Sequence, residues 1–457
     1  MLTDRFTDLF IDGAWVPAAR RFEVENPATG SVIATVSDAT AEDARRALDA
    51  ACASAWASVP PRERGEILRR AYELMVERAD ELAELATLEL GRPIAESRAE
   101  VAYAAEFLRW FAEEAVRITG DYRLAPSGDY RIVVTGEPVG PCYLITPWNF
   151  PLAMVTRKIG PALAAGCPVV LKPAEATPLC ALALADLLHA AGVPAGAVNV
   201  LPCSSPVEVT AALLGDGRLR KLSFTGSTAV GKTLLRQSAD GVLRTSMELG
   251  GNAPFLVLAD ASVPDAIEGA LVAKMRNSGQ SCVAANRFLV HESVAAEFTE
   301  GLVARLAALP EYGPLISAAA RERVHGLVRK YRGEVLLGGE IPDGPGYFYP
   351  PTVIADAPHV DEEIFGPVAP ITVFSDEDAM IEAANATPAG LVAFVYSRTR
   401  GLEVADALQA GMVGVNRGLV SNPAAPFGGI KESGLGREGG FEGIHEYLEV
   451  KYLALGS

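Results

Sequence analysis

The chain is poor in the residues that build metal sites. Its five histidines lie far apart in 457 residues, with no H-E-x-x-H or similar spacing, which argues against a histidine-built metal centre. The six cysteines, Cys52, Cys142, Cys167, Cys180, Cys203 and Cys282, include no C-x-x-C pair, so no dithiol redox motif or zinc ribbon is expected. No basic start followed by an apolar stretch opens the sequence, so no secretory signal is read. The thiols are then expected to stay reduced in the cytoplasm. No apolar run reaches the ~18 residues of a membrane span. Basic residues are also scarce: 40 Lys and Arg stand against 57 Asp and Glu, a net charge of −17. That balance argues against a nucleic-acid partner, which needs a basic face. It would also repel an anionic substrate at long range, so such a substrate needs local positive charge. Neither an internal repeat nor a low-complexity linker is found.

What is present reads as a large α/β protein. At ~150 residues per domain the length predicts about three domains, or two lobes and an appendage. Residues 40–117 are rich in Ala, Leu, Glu and Arg, with apolar positions at helical spacing. YRIVV at 130–134 reads as strand. From about 139 short apolar runs alternate with helical stretches: CYLI (142–145), PVVLK (168–172), VNVLP (198–202), KLSF (221–224) and APFLVL (253–258). Such alternation predicts βαβ units and a parallel sheet. A second α/β stretch from about 262 to 435 carries RFLVH, APITVF and LVAFVYS. The tail EYLEVKYLAL (446–455) reads as an exposed strand in want of a partner.

Two glycine motifs point in different directions. GSTAVGKT (226–233) fits the phosphate-loop pattern G-x-x-x-x-G-K-[ST] letter for letter and sits between an apparent strand and a helix. It supports a nucleotide hydrolase, a merely tight turn, or a helix N-terminus where backbone N–H groups and Ser227 hold a dinucleotide pyrophosphate. The last is preferred. GLGREG (434–439) matches G-x-G-x-x-G, but no βαβ unit follows it, and it is read as a loop.

Three residues suggest carbonyl chemistry only when taken together. Alone, Cys282 in NSGQSCVAAN reads as a small core residue. Its small polar neighbours, however, form a turn that can expose a thiol to backbone N–H groups. Glu248 in MELGGNAP ends an apparent strand beside two glycines, a setting that suits a mobile general base. Asn149 in TPWNFP can turn its amide toward a developing oxyanion, although Asn and Pro also favour plain turns.

The ordered motifs PWNFP (147–151), KPAE (172–175), FTGSTAVGK (224–232), MELGGNAP (247–254), GQSC (279–282), EEIFGP (362–367) and PFGGIKESGLGREGG (426–440) together resemble the aldehyde dehydrogenase superfamily. IDGAWVPA and ENPATGSVIATV extend the likeness to the N-terminus, so that it covers nearly the whole chain. The resemblance implies an α/β fold with a Rossmann-like cofactor domain (1–117 and 139–250), an α/β catalytic domain (251–435) and a small β oligomerisation extension (118–138 and 436–457). It implies that Cys282 attacks the aldehyde, that Asn149 and the Cys282 N–H hold the oxyanion, and that Glu248 activates the hydrolytic water. Thr146, Pro147, Trp148, Phe224, Gly226 and Leu249 would line an NAD(P) site. Lys172 and Glu175 would bind the adenosine ribose and Ser227 the pyrophosphate. Glu363, with Phe365 beside it, would meet the nicotinamide ribose, and Glu438 would stand on the proton exit route. A carboxylate at Glu175 favours NAD over NADP.

Within the superfamily the likeness is greatest to succinate-semialdehyde dehydrogenases, in VTRKIGPALAAGCPVVLKPAE, KMRNSGQSCVAANRF and GIKESGLGREGG. It assigns a substrate carboxylate to Arg157, Arg276 and Ser421, where guanidinium forks suit the ligand. The chain departs from that group at Ala284, where a second cysteine is common, at Arg417 and Asn422, and in a short LAALPEYGPLI segment (306–316). Glutarate semialdehyde or another ω-carboxy aldehyde therefore stays open, as do a P-loop hydrolase and a non-catalytic binding protein. A homodimer or homotetramer is expected, with no membrane partner.

Overall fold

A computed structural model describes residues 2–357 and 362–456; positions 1, 358–361 and 457, which fall inside the expected domains, lie outside the described residues. The alternating pattern after residue 139 forms an eight-stranded sheet. Its order is Gly434–Leu435, Arg244–Glu248, Lys221–Thr225, Cys142–Ile145, Val169–Lys172, Val198–Val200, Leu9–Ile11, Ala14–Val16. The five central strands are parallel, and the outer ones are antiparallel. Both faces are covered, which is why these strands read as continuous apolar runs. Cys142, Leu144, Val169 and Leu171 face a core shared with helices Pro61–Glu77, Ile94–Glu114, Ala153–Ala165 and Pro178–Ala190. The alternate residues Tyr143, Ile145, Val170, Leu222 and Phe224 face Ala41–Ala53, Pro206–Leu214 and Thr228–Ala239.

Chain order runs outward in opposite directions from the gap between Cys142–Ile145 and Lys221–Thr225. Loops after these two strands diverge there and leave a crevice at the carboxyl ends, the general ligand position of open α/β sheets. Both TPWNFP and GSTAVGKT leave their strands at this gap.

A second, seven-stranded sheet runs Glu334–Leu337, Thr352–Ala355, Val368–Phe374, Ala285–His291, Ala253–Val257, Val392–Tyr396, Met412–Val415. Phe255, Phe288, Phe394 and Tyr396 stack on one face, and Leu256, Leu289 and Val395 fill the other. A separate three-stranded sheet joins Asp121–Leu124, Tyr130–Pro138 and Leu448–Gly456.

Several elements differ from the sequence reading. The C-terminal strand finds its partner within the chain, pairing residue by residue with Tyr130–Pro138. The small sheet takes up the tail only from Leu448, while residues just before it stay against the large sheet through the Tyr447 carbonyl, which accepts from the Val139 N–H. GLGREG is not wholly loop, because Gly434–Leu435 adds an antiparallel edge to Arg244–Glu248. The N-terminal hairpin Arg21–Asn26 with Ser31–Ser37 went unread, although Phe22 and Val24, and Ala34 and Val36, alternate with polar residues as a strand pair should.

Candidate active site

The helix Ala153–Ala165 is buried along its whole length yet carries Arg157 and Lys158. Its start is fixed by Glu100, whose carboxylate accepts the N–H groups of Leu152 (2.8 Å) and Ala153 (3.0 Å) and pairs with the buried Arg92. A carboxylate at a helix N-terminus satisfies otherwise unpaired donors and the helix dipole. This anchor sets the height of Arg157 and Lys158 in the crevice.

The turn that carries Cys282 is shaped by its backbone. After helix Val263–Met275, Asn277, Ser278 and Gly279 adopt positive φ values of 50°, 54° and 75° in succession. A Cβ on Gly279 would lie 2.2 Å from the Gly366 carbonyl oxygen, so only glycine fits. Side chains brace the strained turn from three sides. Asn277 Nδ2 donates to the Asn149 carbonyl (2.9 Å), Ser278 Oγ to the Gly313 carbonyl (2.7 Å), and Gln280 Nε2 to the Pro314 carbonyl (3.0 Å). The shortened 306–316 segment thus supplies two of the braces. The turn ends with Cys282 half-buried, whereas Ala284 is sealed in the core.

Cys282 lies where two cavities meet. The first, of about 430 Å³, is lined by Pro147, Trp148, Gly226, Ser227, Glu248, Leu249, Gln280, Arg323, Glu363 and Phe365. The second is lined by Tyr103, Phe150, Arg157, Arg276, Ser281, Ser421 and Phe427. Asn149, Met154 and Cys282 border both. A third cavity of about 450 Å³ lies further along the crevice, between Lys172, Pro206, Val207, Phe224, Val230 and Leu234.

The electrostatics of this junction are those of a dry site. Burial pushes the Cys282 thiol up to about 12; Arg157 opposes the rise, and Glu363 and Glu248 add to it. Glu248 is raised well above the usual carboxylate range, by burial first and then by the charge of Glu438, with Lys158 and Arg157 opposing. Neither Glu248 oxygen has a hydrogen-bond partner among the described residues, so the carboxylate is free to turn. Glu438 is held by Lys158 Nζ at 2.5 Å, and its other oxygen lies 3.7 Å from Arg157 Nη1. Lys158 also donates to Ser223 Oγ at 2.8 Å. Burial lifts Glu363 to about 7, and its carboxylate accepts the Gly251 N–H at 3.3 Å. Asn149 Nδ2 donates to the Gln280 carbonyl at 3.0 Å, which turns the amide nitrogen toward the Cys282 turn.

Two basic residues flank the second cavity in different ways. Arg157 donates to the Tyr103 hydroxyl at 2.8 Å and lies 4.1 Å over the Phe427 ring, and its Nε and Nη1 have no hydrogen-bond partner among the described residues. Arg276 lies 5.3 Å over the Phe150 ring. No ion pair of Arg276 exists among the described residues, and burial lowers its pKa from the ordinary arginine value.

The P-loop reading fails at Lys232. Its ammonium pairs with Glu432 at 2.8 Å, with both side chains largely exposed. Ser227 instead caps helix Thr228–Ala239 by accepting the Val230 N–H. A Cβ on Gly231 would meet the Leu249 side chain at 2.3 Å, so the helix lies close against the adjacent strand end, as pyrophosphate-binding turns require. The crevice therefore fits a dinucleotide. Its phosphates would meet the Ser227 helix start, and its adenosine would enter the apolar slot between Val207, Phe224 and Val230. Lys172, at the slot's edge, pairs with the exposed Glu175 at 3.3 Å, and Thr146 leads into the crevice through its N–H bond to the Lys172 carbonyl. At the Cys282 end of the crevice Phe365 holds a φ of 51° and sets its ring edge-on to Trp148 at 5.5 Å.

Sequence reasoning missed Tyr103, Lys158, Arg323 and Phe427. Lys158 left a signal: two adjacent basic residues inside an otherwise apolar helix. Arg323 left none, since it acts by donating to the carbonyls of Glu363 and Ile364, which holds their loop over the cleft.

A dinucleotide crevice that ends at a half-buried thiol, an amide and a carboxylate without a hydrogen-bond partner among the described residues defines an oxidoreductase acting on a carbonyl carbon. The family model described as aldehyde dehydrogenase family matches residues 15–453, and the chain belongs to that family of NAD(P)-dependent, aldehyde-oxidising enzymes. It is similar to a succinate-semialdehyde dehydrogenase of Paenarthrobacter nicotinovorans, with 54% identity covering 93% of this chain and 99% of the relative. A glutarate-semialdehyde dehydrogenase of Pseudomonas putida is 47% identical, over 98% of this chain and 97% of the relative. Among solved structures, an NADP-dependent enzyme of E. coli superposes with a TM-score of 0.97 at 45% identity, covering 99% and 98% of the two chains. The NAD+ complex of a Bacillus cereus aldehyde dehydrogenase gives 0.96 at 37% identity, covering 100% and 97%. No helix among the described residues is long and apolar enough to cross a membrane.

Proposed function

We propose that the enzyme oxidises an ω-carboxy aldehyde, succinate semialdehyde foremost, to the dicarboxylic acid, with NAD as the preferred cofactor. The observation that carries the reading is the convergence of Arg157 and Arg276 on a cavity that ends at Cys282, with Nε and Nη1 of Arg157 lacking a hydrogen-bond partner among the described residues and only Glu438, 3.7 Å from Nη1, to balance the charge. Buried guanidinium donors need an anion. Ser421 lines the same cavity, and the relatives named for succinate and glutarate semialdehydes support the substrate class.

The bound cofactor supplies a hydride acceptor beside Cys282. The chain's own residues do the rest. Cys282 gives up its proton, with Glu248 as the nearby acceptor, and its sulfur adds to the aldehyde carbon. Asn149 Nδ2 and the Cys282 N–H stabilise the resulting oxyanion. Loss of hydride leaves a thioester on Cys282. Glu248, having passed its first proton on toward Glu438 and Lys158, then takes a proton from water, whose oxygen attacks the thioester carbon and expels the thiolate. The proton moves on toward Glu438 and Lys158. Burial raises the Glu248 pKa, which makes its carboxylate a stronger base than an exposed glutamate. Glu175 favours NAD, because a carboxylate accepts from ribose hydroxyls and repels a 2′-phosphate. The apolar positions Tyr122, Leu124, Val450, Tyr452 and Leu455 are exposed on the small sheet, and we read them as a contact of a homodimer or homotetramer.

The test is NAD(P)H formation by purified enzyme with succinate semialdehyde, glutarate semialdehyde and butanal, each with NAD and with NADP. A higher kcat/KM for the charged aldehydes and for NAD supports the reading; butanal turned over as well as succinate semialdehyde refutes it.

A further inference from the structure

Tyr103 sits on helix Ile94–Glu114 at the wall of the cavity that holds Arg157, Arg276 and Ser421. Its ring is fixed edge-on against Phe107, one helical turn on, at 5.0 Å. Its oxygen accepts the Arg157 Nη2 hydrogen at 2.8 Å, and the guanidinium is 5.9 Å from the ring centre. The hydroxyl hydrogen has no acceptor among the described residues. A phenol that accepts from a guanidinium becomes a better donor through its own hydrogen. Arg157 is thereby held sideways: Nη2 is committed to Tyr103 and Nη1 lies 3.7 Å from Glu438, while Nε and Nη1 keep hydrogens with no hydrogen-bond partner among the described residues. Tyr103 and Arg276 line the same cavity.

We infer that Tyr103 is a specificity-determining residue, which donates its hydroxyl hydrogen to the distal carboxylate of the substrate and orients Arg157 for the same anion. This rests on the ω-carboxy reading above and adds a neutral donor to its two cations. A carboxylate offers about four acceptor positions, enough for the phenol beside one hydrogen bond each from Arg157, Arg276 and Ser421. An aldehyde without the distal carboxylate makes no use of the hydroxyl.

The test is Tyr103→Phe, which keeps the ring and its contact with Phe107. The readout is the ratio of kcat/KM for succinate semialdehyde to that for butanal, with KM and kcat separated. One charge-assisted hydrogen bond predicts a fall in this ratio of about tenfold or more, carried by KM. Thermal shift by succinate, read without turnover, should shrink in the variant while its unliganded Tm stays close to wild type. An unchanged ratio, or an equal loss with both aldehydes, overturns the assignment. A wild-type ratio near one would instead remove the ω-carboxy reading itself, and the role of Tyr103 with it.

Discussion

Arg276→Gln separates a substrate clamp from a structural arginine. The guanidinium is largely desolvated, rests on the Phe150 ring and makes no ion pair among the described residues. Its removal therefore orphans no carboxylate partner. Glu96, the nearest acid of opposing influence, is already satisfied by the Asn277 N–H at 2.7 Å. The usual large cost of breaking a buried pair is absent, and Tm should hold or rise slightly. Binding is another matter. A charge-assisted hydrogen bond to a carboxylate is worth ~1.5–3 kcal/mol, which at ~1.4 kcal/mol per decade raises KM for succinate semialdehyde roughly 10- to 150-fold. Butanal, with no carboxylate to lose, should respond far less. Steady-state kinetics with both aldehydes, beside thermal melts, read the two effects apart. A lower Tm with unaltered KM for succinate semialdehyde would refute the clamp.

Gly279→Ala should abolish turnover and destabilise the enzyme, because the added Cβ meets the Gly366 carbonyl oxygen at a φ of 75°. Differential scanning fluorimetry beside activity checks this, and a stable, active variant would contradict the turn geometry. Lys274 donates to the Ala285 carbonyl at 2.7 Å just behind the nucleophile, and burial lowers it from its ordinary value of 10.5 to about 7. Between those two pH values the unfolded chain holds a proton that the folded chain lacks, so this group's contribution to stability grows as pH rises through that window. Urea titrations of wild type and Lys274→Met should diverge in that direction, and parallel curves would argue against the shift.

Much of this was legible because local chemistry and tertiary role coincide. The strands around 142, 169 and 221 must be apolar on both sides, so their runs stand out against the intervening helices. Glu248 ends a strand and Cys282 ends a turn, each beside small residues that betray a special backbone, while Asn149 sits in a proline-flanked bend just after the strand Cys142–Ile145. The structure brings these three together at one junction. Residues that act through distant carbonyls or through one another were not legible. Glu100 looks like any helix-face glutamate until the start of Ala153–Ala165 falls on it. Tyr103 occupies an unremarkable position in an amphipathic helix, and only its packing against Arg157 sets it apart. The letters of GSTAVGKT left a P-loop open for the same reason: the lysine is in the pattern, but its side chain leaves the loop for Glu432.

The central claim is that the Cys282 sulfur carries the acyl group and that Glu248 is needed to release it. Glu248→Gln, mixed with succinate semialdehyde and NAD, quenched and digested for mass spectrometry, tests it most directly. A single burst of NADH with one succinyl group on the Cys282 peptide, removable by hydroxylamine, is the predicted result. Continuous NADH formation, or a burst that leaves Cys282 unmodified, would contradict it.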